Sequence, residues 1–216
     1  MTIKLIIFDL DGTLIDSSID ITNAINYAVG PYGIAPLTVK ETISIVGEGI
    51  TSLMAKIAKR QEATVIDKDA LVKRFVEYYS AHLTDNTPVY PGVAETLKLL
   101  GDYKKVVISN KRQALSQKIL DDLGLSAYLD LVVGSDTTAE RKPSPVPVLY
   151  VLSTFGILPE QAVIIGDSNF DIEAGKAAGI RTVAVTYGYR PLDVLKGADF
   201  TIDRMQDLPD ILKRLS

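Results

Sequence analysis

Four short polar clusters in this chain combine residue types and spacings able to do chemistry. The first is Asp9-Leu10-Asp11-Gly12-Thr13, with two carboxylates two residues apart and a glycine that permits a tight turn. The second is Ser109-Asn110-Lys111, the third Lys142-Pro143-Ser144-Pro145, and the fourth Gly166-Asp167-Ser168-Asn169-Phe170-Asp171. Carboxylates brought together would repel one another unless a cation or a shared proton compensated them. Several carboxylates, a hydroxyl, a lysine and helix N-termini in one place describe a site for a divalent cation and a phosphate. Hard oxygen ligands suit Mg²⁺, whereas Ser109, Lys142 and exposed backbone N–H groups suit phosphoryl oxygens.

Such clusters meet only if the elements that carry them lie side by side, and the apolar pattern supplies those elements. Residues 3–8 form an apolar run broken only by Lys4, as expected of a strand buried on both faces of a parallel sheet. Similar runs at 105–109, 131–135, 162–166 and 181–185 alternate with helical patterns at 113–123, 144–155 and 170–178, and Gly124 and Gly179 stand where the first and last of those helices should end. That alternation predicts an α/β fold: a doubly wound, Rossmann-like parallel sheet, in which ligands bind beyond the carboxyl ends of the strands. Each polar cluster follows one of the runs.

Residues 17–87 break the rhythm. They hold helical patterns at 19–29, 39–45, 50–59 and 68–83 with no strand, so the organisation expected is a core of 1–16 and 88–216 and an inserted all-helical subdomain of 17–87. In the last of these helices Leu71, Phe75, Tyr78, Tyr79 and Leu83 fall at helical spacing and read as core packing.

Composition narrows the function. With 23 basic against 27 acidic residues and no basic run, nucleic acid is not an expected partner. The absence of cysteine excludes disulfides, thiolate catalysis and cysteine-ligated metal, and the lone His82 leaves no histidine-rich metal site. The N-terminal apolar stretch is too short for a signal peptide, and the charge-free stretch 143–159 carries four prolines, so no membrane partner and a cytoplasmic location are expected. The chain suits either a monomer or a homodimer.

Taken singly, each cluster has an ordinary explanation: Asp167-Ser168 and Ser109 as helix caps, Lys142 as a surface lysine. Together, Asp9-x-Asp11-Gly12-Thr13, Ser109, Lys142 and Gly166-Asp167-x-x-x-Asp171 resemble, in order and spacing, the four motifs of the haloacid dehalogenase-like hydrolases, and the inserted helices resemble that superfamily's helical cap. Ser109-Asn110-Lys111 and Val46-Gly47-Glu48-Gly49-Ile50 carry a narrower likeness to its phosphoglycolate phosphatase group.

The resemblance implies a Mg²⁺-dependent phosphomonoesterase acting on a small phosphorylated metabolite, 2-phosphoglycolate above others. It implies Asp9 as the nucleophile that forms an aspartyl-phosphate and Asp11 as general acid and then base. The metal would be held by Asp9, the Asp11 carbonyl and Asp167, with Asp171 beside it or holding Lys142. Ser109 and Lys142 would clamp the phosphoryl group, with Thr13 and Asn110 beside them. Gly47 and Gly49, in the turn before an apolar-patterned helix, would either read a substrate carboxylate through backbone N–H groups, with Lys111 adding charge, or serve only the sharp turn between two helices. Asp11 argues against dehalogenase and phosphonatase chemistry, and Ile21 occupies the place of the cap histidine of sugar-phosphate mutases. A pyrophosphatase, a mutase and a non-catalytic phosphate-binding regulator are the alternative expectations.

Overall fold

The computed structural model describes residues 2–59 and 67–215. The chain divides into two compact units, Met1–Asp16 with Val89–Ser216, and Ser17–Pro88.

The first unit is built on a six-stranded, wholly parallel sheet of order β3-β2-β1-β4-β5-β6. Its strands are β1 (Leu5–Phe8), β2 (Lys104–Ile108), β3 (Leu131–Val133), β4 (Ala162–Gly166), β5 (Arg181–Val185) and β6 (Phe200–Ile202). Every residue of β1 and β4 is buried, which is why both read as unbroken apolar runs. Lys105 is the polar exception within β2. It stays buried because its ammonium donates to Leu100 O at 2.8 Å and Tyr103 O at 3.1 Å. Leu5, Ile7, Val106, Ile108 and Ile164 join Val148, Val151 and Leu152 of the helix Val146–Phe155 in one hydrophobic core.

Strand β1 sits at the sheet's centre, with Phe8 in register with Val107 on one side and Ile165 on the other. The chain winds one way from β1 to β3 and the other way from β4 to β6. The carboxyl end of β1 is therefore the switch point at which doubly wound sheets open a crevice. Asp9 follows β1, Ser109 follows β2 and Asp167 follows β4, so three of the four clusters stand at adjacent strand ends. The two segments of this unit are tied where they meet, by an antiparallel bridge between Ile15 and Val89 and by Tyr90 N–H donating to Leu14 O at 3.0 Å.

The second unit is helical among its described residues. Its helices are Ser18–Val29, Val39–Ile45, Ile50–Lys59 and Lys68–Ala81. The first packs on the second and the fourth, and the third on the fourth. Leu71, Phe75, Tyr79 and Leu83 are buried as their spacing predicts. Tyr78 differs: it is partly exposed and stacks on Tyr27 and His82, with ring centroids 4.6 and 4.3 Å away. Buried Asp20 closes this unit on itself. Its carboxylate accepts from Asn86 N–H at 2.8 Å, Asn86 Nδ2 at 2.9 Å and Thr87 Oγ1 at 2.6 Å.

The helical pattern expected from 144 begins as helix only at Val146, because Pro145 takes the N-cap position. Strand β6 is absent from the sequence-level expectation. It has three residues at the sheet edge, with Thr201 exposed, and so shows no apolar run.

Candidate active site

The turn after β1 is wound tightly around one acceptor: Leu10 O receives the N–H groups of Thr13, Leu14 and Ile15. Gly12 adopts φ 87°, a conformation that disfavours side chains, and a Cβ there would lie 2.3 Å from Asp167 Oδ2. The glycine thus lets the first cluster close directly onto the fourth. Asp9 is held at the end of β1 by its own N–H, which donates to Ile165 O at 2.8 Å.

Four charges meet here. The Lys142 ammonium donates to Asp9 Oδ1 at 2.8 Å, to Asp171 Oδ1 at 2.6 Å and to Ile108 O at 2.6 Å. Asp171 is engaged at both oxygens, since Oδ2 accepts from Ser168 Oγ at 2.6 Å and from Ser168 N–H at 3.2 Å. Asp167 Oδ2 accepts the N–H of Tyr189 at 2.7 Å. Oxygens of Asp9, Asp167 and Asp171 lie within 4.8 Å of one another, the arrangement of a candidate cation site.

With three carboxylates against one ammonium, the cluster is two positive charges short. Burial pushes the Asp9 carboxyl up to about 7; Lys142 opposes the rise, and Asp171 and Asp11 add to it. Burial likewise raises Asp167 well above the ordinary carboxylate range, with Asp9 and Asp171 adding repulsion and Tyr189 N–H and Arg190 opposing. Burial by itself would lower Lys142, but the attraction of Asp171 and Asp9 prevails and holds it above its ordinary value. Three carboxylates against one ammonium in a buried, all-oxygen setting fit a hard divalent cation. Asp9 Oδ2 and Asp167 Oδ1 are the oxygens left over from the hydrogen bonds above.

Beside this cluster, Lys111 Nζ pairs with Asp11 Oδ1 at 2.6 Å, and the lysine side chain is only 7% exposed. The Asp11 carboxylate is thus committed to Lys111 and stands outside the three-carboxylate group. Ser109 Oγ accepts Lys111 N–H at 3.1 Å, which leaves its O–H to donate elsewhere. Asn110 Nδ2 donates to Lys142 O at 2.9 Å and so braces the lysine's backbone. Thr13 Oγ1 is fully buried and has no hydrogen-bond partner among the described residues. A buried hydroxyl without a partner is costly.

Of the residues singled out by sequence, Asp9, Asp11, Thr13, Ser109, Asn110, Lys111, Lys142, Asp167 and Asp171 all belong to this first unit. Gly47 and Gly49 belong to the helical unit, in the turn between two helices, with φ 114° and 83°. Between them Glu48 pairs with Lys56 at 2.7 Å. Sequence reasoning missed the segment Tyr187-Gly188-Tyr189, whose contribution to Asp167 comes from a backbone N–H that no side-chain pattern announces.

A parallel sheet of this winding, with an acidic centre and a buried lysine at its switch point, defines an α/β enzyme of the doubly wound type. The chain belongs to the haloacid dehalogenase-like hydrolases, whose family model matches residues 6–185. It is 40% identical to the phosphoglycolate phosphatase of Aquifex aeolicus, over 97% of this chain and 96% of that protein. It is 39% identical to the phosphoglycolate phosphatase of Chromobacterium violaceum, over 98% and 97% of the two chains. The crystal structure of a predicted phosphoglycolate phosphatase from Haemophilus somnus matches with a TM-score of 0.91 at 31% identity, covering 98% of both chains. The protein is a phosphatase of this family. Among the described residues, no helix is long and apolar enough to cross a membrane.

Proposed function

We propose that this enzyme is a Mg²⁺-dependent phosphomonoesterase that hydrolyses 2-phosphoglycolate through a phosphorylated Asp9. The observation that carries the reading is the Asp9–Lys142–Asp171 constellation at the end of the central strand, beside Asp167 and the orphaned Thr13 hydroxyl.

In this reading Asp9 Oδ2 and Asp167 Oδ1, with the Asp11 backbone carbonyl, hold Mg²⁺. Bound there, Mg²⁺ screens the negative charges of nucleophile and phosphate from one another. Asp9 attacks phosphorus. The Lys142 ammonium, the Ser109 O–H and the Thr13 O–H meet the phosphoryl oxygens, where electrostatic stabilisation accounts for most of the catalysis of such a transfer. Asp171 accepts no new bond in this step; it holds Lys142 in place. Asp11 gives a proton to the leaving alkoxide and then takes one from the water that hydrolyses the aspartyl-phosphate. Lys111, bonded to Asp11, sets the position of that carboxyl and adds positive charge beside the organic part of the substrate.

Selection among phosphate esters is assigned to the helical unit, Ser17–Pro88, in the role of a cap, with the Gly47–Gly49 turn reading the glycolate carboxylate through backbone N–H groups. The names of the relatives support this substrate. A small acidic metabolite, without nucleic acid or membrane, is then the enzyme's partner, and the cytoplasm its location.

A panel of phosphate monoesters and pyrophosphate, assayed with Mg²⁺ and with EDTA, tests the reading. Highest kcat/KM for 2-phosphoglycolate, lost in EDTA, is the expected result. Full activity in EDTA overturns the metal role, and preference for pyrophosphate or a sugar phosphate overturns the substrate.

A further inference from the structure

The segment that follows β5 supplies no catalytic side chain, yet it makes three contacts with the parts of the site that must hold still. Gly166 of β4 is in register with Ala184 of β5, so the chain leaving β5 runs beside Asp167. There Tyr189 N–H donates to Asp167 Oδ2 at 2.7 Å. Tyr187 O–H donates to Thr13 O at 2.8 Å, inside the turn that carries Asp9 and Asp11. Tyr189 O–H donates to Asp16 Oδ1 at 3.1 Å, where that same segment ends.

Gly188 is what allows this approach. Its φ is unexceptional, but a Cβ at position 188 would lie 2.2 Å from Asp167 Cβ, 2.5 Å from Gly12 O and 2.7 Å from Asp167 Oδ2. A Cβ at Gly12 would lie 2.3 Å from the same oxygen. The backbone at two glycines therefore approaches Asp167 closely, and one of its oxygens is fixed by a backbone donor. The Tyr187 ring is itself anchored against Tyr90, with centroids 4.7 Å apart.

We propose that the Tyr187-Gly188-Tyr189 segment positions Asp167 so that it presents a single oxygen, Oδ1, to the cation, and thereby favours Mg²⁺ over Ca²⁺. The inference rests on the reading of Asp167 as a metal ligand. Mg²⁺ demands a compact octahedron, whereas Ca²⁺ takes six to eight oxygens and readily accepts a bidentate carboxylate. A carboxylate whose Oδ2 is tied to a backbone N–H, with two glycine backbones packed against it, presents its other oxygen as the ligand atom. Tyr187 and Gly188 are thus positioning residues: they act through Asp167 and the Asp9–Thr13 turn and touch no reacting atom.

The test is calorimetric titration of Mg²⁺ and of Ca²⁺ into the substrate-free protein, wild type against Gly188→Ala and Tyr187→Phe, with melting curves in EDTA to establish folding. Loss of a partner that orients a metal ligand typically costs about ten- to hundredfold in affinity, so Gly188→Ala should raise the Mg²⁺ Kd by roughly that factor. Tyr187→Phe removes one more distant hydrogen bond and should raise it about three- to tenfold. In both variants the Ca²⁺ Kd should change less, so that the preference for Mg²⁺ narrows. Wild-type Mg²⁺ affinity in the folded variants overturns the proposal, as does an equal weakening of both ions. If Gly188→Ala fails to fold, Tyr187→Phe, which keeps the ring, decides by the same criteria. A wild-type protein that binds no Mg²⁺ overturns the metal reading itself, and the inference with it.

Discussion

Replacing Lys142 with methionine leaves a side chain of similar length but removes the ammonium that bonds Asp9 and Asp171. The side chains of Lys142 and Asp171 are 2% and 1% exposed, and that of Asp9 is 13% exposed, so little solvent can compensate. Breaking one partner out of a buried ion pair costs about 3–5 kcal/mol. For a chain of this size, each kcal/mol corresponds to roughly 2–4 °C in Tm, so the expected loss is about 6–20 °C. The loss should depend on pH in a definite direction. Asp9 stands at about 7 even with Lys142 in place, chiefly through burial, and removal of Lys142 raises it further. A carboxyl whose pKa is higher folded than unfolded favours the fold below its unfolded value and loses that contribution as pH rises through the folded value. At about pH 5 Asp9 of the variant is protonated and the penalty is partly relieved, whereas at about pH 8 more of it is felt. Calorimetric melts of wild type and Lys142→Met, in EDTA at both pH values, measure this. An equal loss at the two pH values, or no loss at either, would refute the account of Lys142 as the charge that compensates the cluster.

Asp9→Asn should abolish turnover while leaving the fold intact, and more than trace activity in a deamidation-controlled preparation would contradict its role as nucleophile. Asp11→Asn should slow phosphoryl transfer from an alkyl phosphate far more than from p-nitrophenyl phosphate, whose leaving group needs no proton; equal losses in a burst measurement of that step would contradict the acid role. Thr13→Val should lower kcat/KM by about ten- to hundredfold, the worth of a hydrogen bond to a charged group, yet leave Tm unchanged or raised, because a partnerless buried hydroxyl becomes a methyl. A lowered Tm with unchanged kcat/KM would show that the hydroxyl serves the fold. Mg²⁺ should raise the Tm of the wild type more at about pH 8 than at about pH 5, where protons already relieve the carboxylates, and a shift of the opposite order would contradict the charge deficit.

The architecture was legible where burial leaves a simple trace. Strands β4 and β5 run over the residues that the apolar pattern marks, and the helices Val39–Ile45 and Ile50–Lys59 match their predicted spans. Strand β6 was not legible, because an edge strand of three residues with one exposed position has no run to detect. At the site, the joint occurrence of the polar clusters after the apolar runs singled out Asp9, Asp167 and Lys142, but what keeps Lys142 buried was out of reach. Its partners come from the end of β1, from β2 and from the helix Asn169–Ala177, and only the sheet order brings them together. Asp171 read either as lying beside the metal or as holding Lys142, and its three hydrogen bonds with Lys142 and Ser168 could be seen only in three dimensions. The fit of Gly188 against Asp167 left no signal at all, since a glycine with ordinary φ in a loop looks like any other.

The central claim is that phosphate passes through Asp9. Rapid-quench of the enzyme turning over 2-phosphoglycolate with Mg²⁺, reduction of any acyl phosphate with borohydride, and peptide mass spectrometry test it most directly. The account predicts conversion of residue 9 to homoserine in the presence of substrate and Mg²⁺ and none without substrate. Turnover with residue 9 unmodified, or with the modification on another carboxylate such as Asp11 or Asp167, would contradict it.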